Sequence, residues 1–358
     1  MSTYAWEKNV RKVTPYTPGE QPKLLSMIKL NTNENPYPPS PKVAKVLREF
    51  SADTLRLYPD PSVSDLTQAL AGYYGVDSNE VFVGVGSDDV LAMAFLTFFN
   101  GKDPILFPDI TYSFYDVWAD LYGIPYETQA LREDFSIRRE DYFKKNGGII
   151  FPNPNAPTGV AEDLSLIEEI LKKNPESVVI IDEAYVDFGT PSAVSLIPRY
   201  DNLLVVQTMS KSRAMAGMRI GYAMGQPALI EALNNVKYAF NSYTMSRTAI
   251  AAGVAAVEDA SYFEEICHKI VSTREHVKKE LSALGFRFPD SRSNFLFVTH
   301  PDIAAKDLFA MLRQENIIVR YFDKPRIDDY LRITIGADEE MEALLSFLRK
   351  VCMKKEGI

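Results

Sequence analysis

The sequence contains few of the residues that build disulfide frameworks and metal sites. Its 358 residues include two cysteines, Cys267 and Cys352, and three histidines, and neither cysteine belongs to a paired ligand spacing. A disulfide-rich scaffold and a zinc finger are therefore excluded, and we expect no metal. A reducing compartment such as the cytoplasm fits this composition, and the opening residues, MSTYAWEKNVRKV, lack the apolar core of a secretory signal.

Positive charge and long apolar runs are also scarce. The formal net charge is −9 at pH 7, which argues against nucleic acid or an anionic membrane as the main partner. The longest apolar run, VLAMAFLTFF at 90–99, is too short to span a bilayer and predicts a packed helix. A small anionic ligand is still compatible with this charge, because one cleft of an acidic protein can be positive.

Short β-branched runs alternate with helical patterns over much of the chain. Strands are predicted at 81–85, 104–108, 148–152, 177–182, 203–207 and 219–224. Such runs, separated by helices, are typical of parallel sheets that are covered on both faces. The predicted fold class is therefore α/β, with a mostly parallel sheet sandwiched by helices.

The pattern divides the chain into an arm and two domains. Residues 1–40, rich in Pro, Asn and Tyr, predict an irregular N-terminal arm that joins the smaller domain. Residues 41–245 are the predicted large domain, which opens with a helix that Ser40 can cap and whose first turn suits Pro41. Residues 246–358 contain three further strand candidates among helices and predict a smaller α+β domain.

Polar side chains follow five of the predicted strands, at the point where each strand ends. They are Ser87, Asp88 and Asp89 after the first, Tyr112 after the second, Asn155 after the third, Asp182 and Tyr185 after the fourth, and Thr208, Ser210 and Lys211 after the fifth. Because ligands of open α/β sheets bind at the carboxyl ends of the strands, we expect these side chains in one cleft. A lone lysine after a strand is usually a solvated charge, so the interpretation depends on the whole set.

The residue types in this cleft suit a phosphorylated aromatic aldehyde. The helix start at 86–89 offers free backbone N–H groups to a phosphate, and hydroxyls and the Arg219 guanidinium can complete that site. A tyrosine can stack on a flat ring, a buried Asp182 needs a cation partner, and Tyr185 or an asparagine can hydrogen-bond a phenolic oxygen. Lys211 is the one amine among them. Phosphate, ring, cationic ring nitrogen, phenolate and aldehyde together describe pyridoxal phosphate.

Five motifs occur in an order typical of one enzyme family: NTNENPYPPSP, PNAPTG, IIDEAYVDF, TMSKSRAMAGMRIGY and LRITIG. Together they resemble the fold-type-I pyridoxal-phosphate aminotransferases, and most closely the histidinol-phosphate aminotransferase family. The resemblance extends from NVRKVTPYTPGEQ to LRITIG, almost the whole chain. It implies amino transfer between L-histidinol phosphate and 2-oxoglutarate, giving imidazole-acetol phosphate and L-glutamate, in histidine biosynthesis.

The resemblance also implies roles for the residues of the cleft. Lys211 forms a Schiff base with the cofactor aldehyde and later moves the substrate proton, and Asp182 keeps the ring nitrogen protonated. Tyr185 tunes the phenolate, and Tyr112 stacks on the ring. The implied phosphate and cofactor contacts are Ser87, Asp88, Asp89, Thr208, Ser210 and Arg219.

Substrate residues and a partner subunit follow from the same resemblance. Arg332 in LRITIG matches the arginine that binds a substrate anion. Arg320 in IIVRYF matches the second arginine, which binds the substrate phosphate, and Tyr16 in VTPYTPG matches the tyrosine near that phosphate. The alternative for Arg320 is an ordinary ion pair at the rim. Tyr58 in LRLYPDP matches the tyrosine that reaches the neighbouring subunit's phosphate, which implies a homodimer with shared sites.

One position departs from the family pattern. The asparagine that contacts the ring oxygen usually stands directly before Pro-Thr-Gly, where this sequence has Ala156. Either Asn155 reaches the same oxygen from a shifted backbone, or the contact is lost.

Other functions fit parts of the sequence. An aromatic-amino-acid aminotransferase of the same fold is the closest alternative, followed by a lyase such as a threonine-phosphate decarboxylase. A cofactor-sensing transcription regulator would need a DNA-binding domain, for which this acidic chain has no spare segment. A dinucleotide site is disfavoured because Asp89 replaces the third glycine in GVGSDDV. Asp182 and Glu183 point to opposite sides of a strand, unlike the facing carboxylates of a glycosidase.

Overall fold

The structure, a computed structural model, describes residues 4–17, 19–21 and 27–355. Its strands are β1 (Ile28–Lys29), β2 (Val81–Gly84), β3 (Ile105–Pro108), β4 (Tyr126–Gln129), β5 (Gly148–Pro152), β6 (Val179–Asp182), β7 (Leu203–Thr208), β8 (Gly221–Gly225), β9 (Phe295–Val298), β10 (Ile317–Ile318), β11 (Arg320–Tyr321) and β12 (Leu331–Thr334). Its α-helices are α1 (Pro41–Glu49), α2 (Ser64–Tyr74), α3 (Ser87–Phe98), α4 (Tyr115–Tyr122), α5 (Leu164–Lys173), α6 (Pro227–Phe240), α7 (Arg247–Val257), α8 (Ala260–Ala283), α9 (Ala305–Gln314) and α10 (Asp338–Lys355). No helix within these ranges is both long enough and apolar enough to cross a membrane.

A seven-stranded sheet forms the centre of the described chain, in the order β2-β8-β7-β6-β5-β3-β4. Strand β8 is antiparallel to β2 and β7, and the other neighbours are parallel. The predicted α/β class with a mostly parallel sheet is confirmed. Edge strand β4 is absent from the sequence prediction because three of its four side chains are exposed, so it lacks the apolar run that marks a buried strand.

Both faces of this sheet are covered, as the apolar runs in the sequence require. Alternate residues of a strand point to opposite faces. Leu203 and Val205 therefore pack in a core with residues of α2, α5 and α7, whereas Leu204 and Val206 pack with α3, α4 and α6. Burial of each such side chain contributes about 1.5–3 kcal/mol to the free energy of folding. Together these contributions hold the sheet, and with it the edge at which the polar residues lie.

A smaller sheet and the arm lie together. Strands β11, β12 and β9 form an antiparallel sheet that packs with α8, α9 and α10 around a separate core. Strand β1 of the arm pairs in parallel with β10, and the backbone N–H of Thr334 donates to the carbonyl of Leu30 at 2.9 Å. The predicted boundaries at residues 40 and 245 stay predictions, and α7, which follows the second, packs against α1 and α2.

A buried arginine on α8 ties that helix to two loops. Arg274 is 1% exposed, and its Nη1 donates to the carbonyls of Phe188 at 2.8 Å and Ser293 at 2.9 Å. Its Nε donates to the Glu275 carboxylate at 2.9 Å. A buried guanidinium is tolerated when its donors are used in this way.

We expect Arg274→Met to lower the free energy of unfolding by about 2–4 kcal/mol, because two buried carbonyls lose their donor. The matched control is Arg199→Met, which removes a surface contact to Glu168 and should change stability by about 0.5 kcal/mol or less. Urea unfolding of both variants measures the difference. Equal losses would contradict the role given to Arg274.

Candidate active site

The polar strand ends meet in one cavity at the edge of the central sheet. The cavity is lined by Ser87, Asp88, Tyr112, Pro152, Ala156, Asp182, Ala184, Tyr185, Thr208, Ser210, Lys211 and Arg219. Nearly all of the side chains expected in the cleft are among them. The convergence follows from the topology, since β5, β6 and β7 are parallel neighbours that end at the same edge.

Lys211 brings an amine into this cavity. Its Nζ donates to the carbonyl of Thr32 at 2.9 Å and lies 5.9 Å from the ring centroid of Tyr185. The loss of water around the amine, with a further contribution from the charge of Arg332, lowers the pKa of Lys211 to about 8. Near neutral pH a useful fraction of this amine is therefore unprotonated and can act as a nucleophile or a base.

Asp182 is a buried carboxylate at the end of β6. It is 4% exposed, and it accepts hydrogen bonds from the Tyr115 hydroxyl at 2.9 Å and the Ala184 N–H at 3.3 Å. Burial raises the pKa of Asp182 to about 6, although both hydrogen bonds oppose the rise. No lysine or arginine of the described chain pairs with it. The carboxylate can therefore accept a cationic N–H from a ligand.

Another part of the cavity lining is suited to an anion. The N-terminus of α3 begins at Ser87, and Arg219 lies beside it, 3.3 Å from the Asp88 carboxylate and 3.5 Å from Ser210 Oγ. Strand β8 approaches the helix so closely that a Cβ on Gly221 would lie 2.2 Å from the Ser87 nitrogen. Backbone N–H groups, hydroxyls and a guanidinium thus face the same space.

Two hydroxyls complete the lining. The Tyr112 hydroxyl donates to Asp88 Oδ1 at 2.7 Å, and Thr208 Oγ1 donates to Ser210 Oγ at 3.0 Å. The Asp88 contact fixes the position of the Tyr112 hydroxyl in the cavity wall.

Two of the expected cofactor residues lie outside the cavity. The Asp89 carboxylate accepts the Val85 N–H at 2.8 Å and so holds the turn before α3. The Asn155 amide donates to the carbonyl of Ile110 at 3.0 Å, and Ala156 lines the cavity in its place. The Asn155 Nδ2 also donates to Thr158 Oγ1 at 3.0 Å, whereas its buried Oδ1 has no hydrogen-bond partner in the described chain. The contact between Asn155 and the ring oxygen stays a prediction.

Tyr58 is also outside this cavity. Its side chain is 78% exposed, and its ring lies 4.8 Å from that of Tyr243. Within one chain it contacts neither the Lys211 amine nor the α3 N-terminus.

The arm supplies residues beside the cavity that the sequence pattern did not predict. Asn33 is 1% exposed, its Nδ2 donates to the Tyr185 hydroxyl at 2.9 Å, and its backbone N–H donates to Thr334 Oγ1 at 3.0 Å. Asn35 Nδ2 donates to the carbonyl of Lys211 at 3.0 Å. The signal was the asparagine-rich run NTNENP: Asn33 has φ of 56°, a conformation that asparagine tolerates better than most residues.

A second cavity of about 580 Å³ adjoins the first. Tyr16, Arg320 and Phe322 line it, together with Thr111 and Pro157, the chain neighbours of the first cavity's Tyr112 and Ala156. The Tyr16 ring stacks on Phe114 with centroids 4.1 Å apart. The structure therefore brings Tyr16 and Arg320 together, as expected.

Arg332 lies on β12, directly across from Arg320. Its Nη2 donates to the carbonyl of Asn31 at 3.0 Å, whereas its buried Nε has no hydrogen-bond partner in the described chain. Burial lowers the pKa of Arg332. A buried donor left unpaired is costly, so an anionic ligand would stabilise this position.

Sequence comparison identifies the family to which the chain belongs. Residues 26–348 match the family described as aminotransferase class I and II. The chain belongs to this family. Its fold is accordingly the fold-type-I fold of these enzymes.

Relatives of this aminotransferase share its full length. A protein of Hydrogenovibrio crunogenus named histidinol-phosphate aminotransferase 1 is 55% identical over 351 residues, which are 98% of each chain. The histidinol-phosphate aminotransferase of Clostridium beijerinckii is 52% identical over 98% of this chain and 97% of its own.

Solved structures agree in fold. The histidinol-phosphate aminotransferase of Clostridium acetobutylicum superposes with a TM-score of 0.84 at 25% identity, over 91% of this chain and 99% of that chain. The enzyme of Sinorhizobium meliloti, crystallised with pyridoxal-5'-phosphate, gives a TM-score of 0.82 at 24% identity, over 91% of each chain.

The lowered pKa predicts an unusual pH dependence for the Lys211 amine of this aminotransferase. Only the neutral amine reacts with an acylating reagent, so the labelling rate of Lys211 should rise with pH and reach half its maximum near the pKa of about 8. An ordinary exposed lysine would do so at about pH 10.4. Peptide mass spectrometry of ligand-free protein labelled across a pH series measures this. A Lys211 midpoint equal to that of the exposed lysines would contradict the desolvated site.

Proposed function

We propose that this aminotransferase moves the amino group of L-histidinol phosphate to 2-oxoglutarate, with pyridoxal phosphate as cofactor, as a step of histidine biosynthesis. The observation that carries the proposal is the identity of 55% over 98% of the chain with a relative of that name. The pairing of Tyr16 and Arg320 in one cavity beside the Lys211 cavity supports it.

The donor set fits the cofactor at both of its ends. Asp182, buried without an ion pair in the described chain, suits a protonated ring nitrogen. The N-terminus of α3, with Ser210, Thr208 and Arg219, suits the phosphate. When bound, pyridoxal phosphate supplies an aldehyde that combines with amines and a ring that takes up the electron pair released at the substrate Cα.

Three side chains carry the proton chemistry. Lys211, with a pKa of about 8, takes the proton from the substrate Cα and would deliver it to C4′, the cofactor carbon that carries the aldehyde. Asp182, with a pKa of about 6, is mostly ionised at neutral pH and holds a proton on the ring nitrogen. Tyr185 accepts from Asn33 Nδ2 at 2.9 Å, so its own proton is free to be donated into the cavity.

The second cavity binds the anionic end of each substrate. Arg320 and Arg332 offer planar donor groups that suit both a phosphate and a carboxylate. One pair of arginines can thus serve the phosphorylated amine in one half-reaction and the dicarboxylate in the other. Tyr16 closes the phosphate side, where its ring stacks on Phe114.

The enzyme acts as a homodimer in which Tyr58 reaches the neighbouring subunit's phosphate site. Tyr58 is 78% exposed, it follows the exposed Leu57 in the chain, and its ring lies 4.8 Å from that of the exposed Tyr243. Exposed apolar patches commonly mark protein interfaces. A ring that contributes nothing to its own chain's cavity is free to complete that of a partner.

We place the enzyme in the cytoplasm. The sequence has two cysteines in 358 residues, and such a low cysteine content is usual in a reducing compartment.

Steady-state assays with L-histidinol phosphate and with phenylalanine, each paired with 2-oxoglutarate, test the substrate. We expect histidinol phosphate to be preferred, and we expect Arg320→Leu to raise its KM by roughly 10–100-fold, since a charge-assisted phosphate contact is lost. Phenylalanine, which has no phosphate, should be affected less. Arg313→Leu, which breaks a surface pair with Glu20, is the matched control. A preference for phenylalanine by orders of magnitude would instead identify an aromatic-amino-acid aminotransferase.

A further inference from the structure

Two like charges face each other on the small sheet, and one of them, Arg320, lines the second cavity. Arg320 on β11 and Arg332 on β12 are register partners in an antiparallel pair, a position in which like charges repel. The charge of Arg320 adds to the larger effect of burial in lowering the pKa of Arg332. Something must offset this repulsion if the two guanidinium groups are to remain side by side.

One aromatic ring contacts both groups. The guanidinium carbons of Arg320 and Arg332 lie 5.5 and 5.6 Å from the ring centroid of Phe322. Both distances are within the range of cation–π attraction, which is strongest where water is excluded. Phe322 also lines the second cavity beside Arg320, so its ring is close to the space that a substrate anion would occupy.

The contact continues towards the first cavity. The Arg332 guanidinium also lies 5.3 Å from the Phe295 centroid, and the Phe295 ring meets that of Tyr185 edge-on at 5.1 Å. Arg320, Phe322, Arg332, Phe295 and Tyr185 thus form a continuous cation–aromatic row. It joins the cavity of the anion-binding arginines to the cavity of the Lys211 amine.

We propose that Phe322 is a positioning residue that gives the enzyme its capacity for two different substrate anions. By attracting both guanidinium groups, its ring holds Arg320 and Arg332 side by side with donors left for a ligand, among them the unpartnered Nε of Arg332. One cavity then accepts a phosphate monoester in one half-reaction and a dicarboxylate in the other. This inference rests on the function proposed above, which it deepens.

The neighbouring residue provides a matched control. Tyr321 adjoins Phe322 in the chain, but its ring packs near Phe309 of α9 with centroids 5.9 Å apart, among the side chains of the small-sheet core. Tyr321→Leu removes an aromatic ring of similar size from the same segment without touching either arginine. Loss of local packing alone would affect both variants alike.

Kinetics of the holoenzyme give the first test. Phe322→Leu should raise the KM for histidinol phosphate and for 2-oxoglutarate by about tenfold, the scale of lost cation–π contacts, with kcat within about threefold of the unchanged enzyme. Phe322→Tyr, which keeps the ring, should restore both KM values, and Tyr321→Leu should leave them unchanged. An increase for one substrate only, or an equal increase in Tyr321→Leu, would overturn the proposal.

Binding without turnover separates this inference from the proposed function. Calorimetric titration of the holoenzyme with inorganic phosphate and with succinate should show both dissociation constants raised about tenfold in Phe322→Leu. Unchanged constants would overturn the role of Phe322, whatever the substrate. If the unchanged enzyme fails to transaminate histidinol phosphate, the proposed function fails, and these titrations still decide whether Phe322 positions the arginines.

Discussion

The withdrawal of the Lys211 amine from water is the constraint on which the rest of the structure depends. An ammonium group in a low-dielectric cavity is unfavourable, so the equilibrium shifts towards the neutral amine. The central sheet provides the cavity because its parallel strands are buried on both faces and expose polar residues only at their ends. The same burial raises the pKa of Asp182, so an amine and a carboxylate with opposite shifts line one small space.

The arm connects this space to the small domain. Residues 31–35 contact the Lys211 amine through the Thr32 carbonyl, the Tyr185 hydroxyl through Asn33, and the Arg332 guanidinium through the Asn31 carbonyl. Strand β1, directly before them, pairs with β10. One short segment thus forms hydrogen bonds with the residues proposed for the amine chemistry and with a residue proposed for anion binding.

The sequence predicts the framework well where burial and periodicity act together. Strands such as β5, β6 and β7 are continuous apolar runs, and the polar residues that end them meet in one cavity as expected. Edge strand β4 escapes prediction because its side chains are mostly exposed, and the antiparallel direction of β8 depends on tertiary connections that a local run does not contain.

Side-chain direction is harder to derive from sequence than backbone position. Asn155 and Asp89 stand at the expected strand ends, yet neither lines the cavity, and each hydrogen-bonds to the backbone of a nearby residue, Ile110 or Val85. The contribution of Asn33 arises from contacts with distant parts of the chain, Tyr185 and Thr334. That of Phe322 arises from the pairing of β11 with β12, which brings Arg332 beside Arg320. The roles of individual residues in the cavity therefore depend on geometry that only the folded chain provides.

The most direct test is to identify the residue that binds pyridoxal phosphate covalently. The purified enzyme, reconstituted with pyridoxal phosphate, is reduced with borohydride and digested, and the modified peptides are identified by mass spectrometry. We expect a single reduced pyridoxyl group, on the Lys211 side chain. Modification of another lysine, or none after reconstitution, would contradict this expectation.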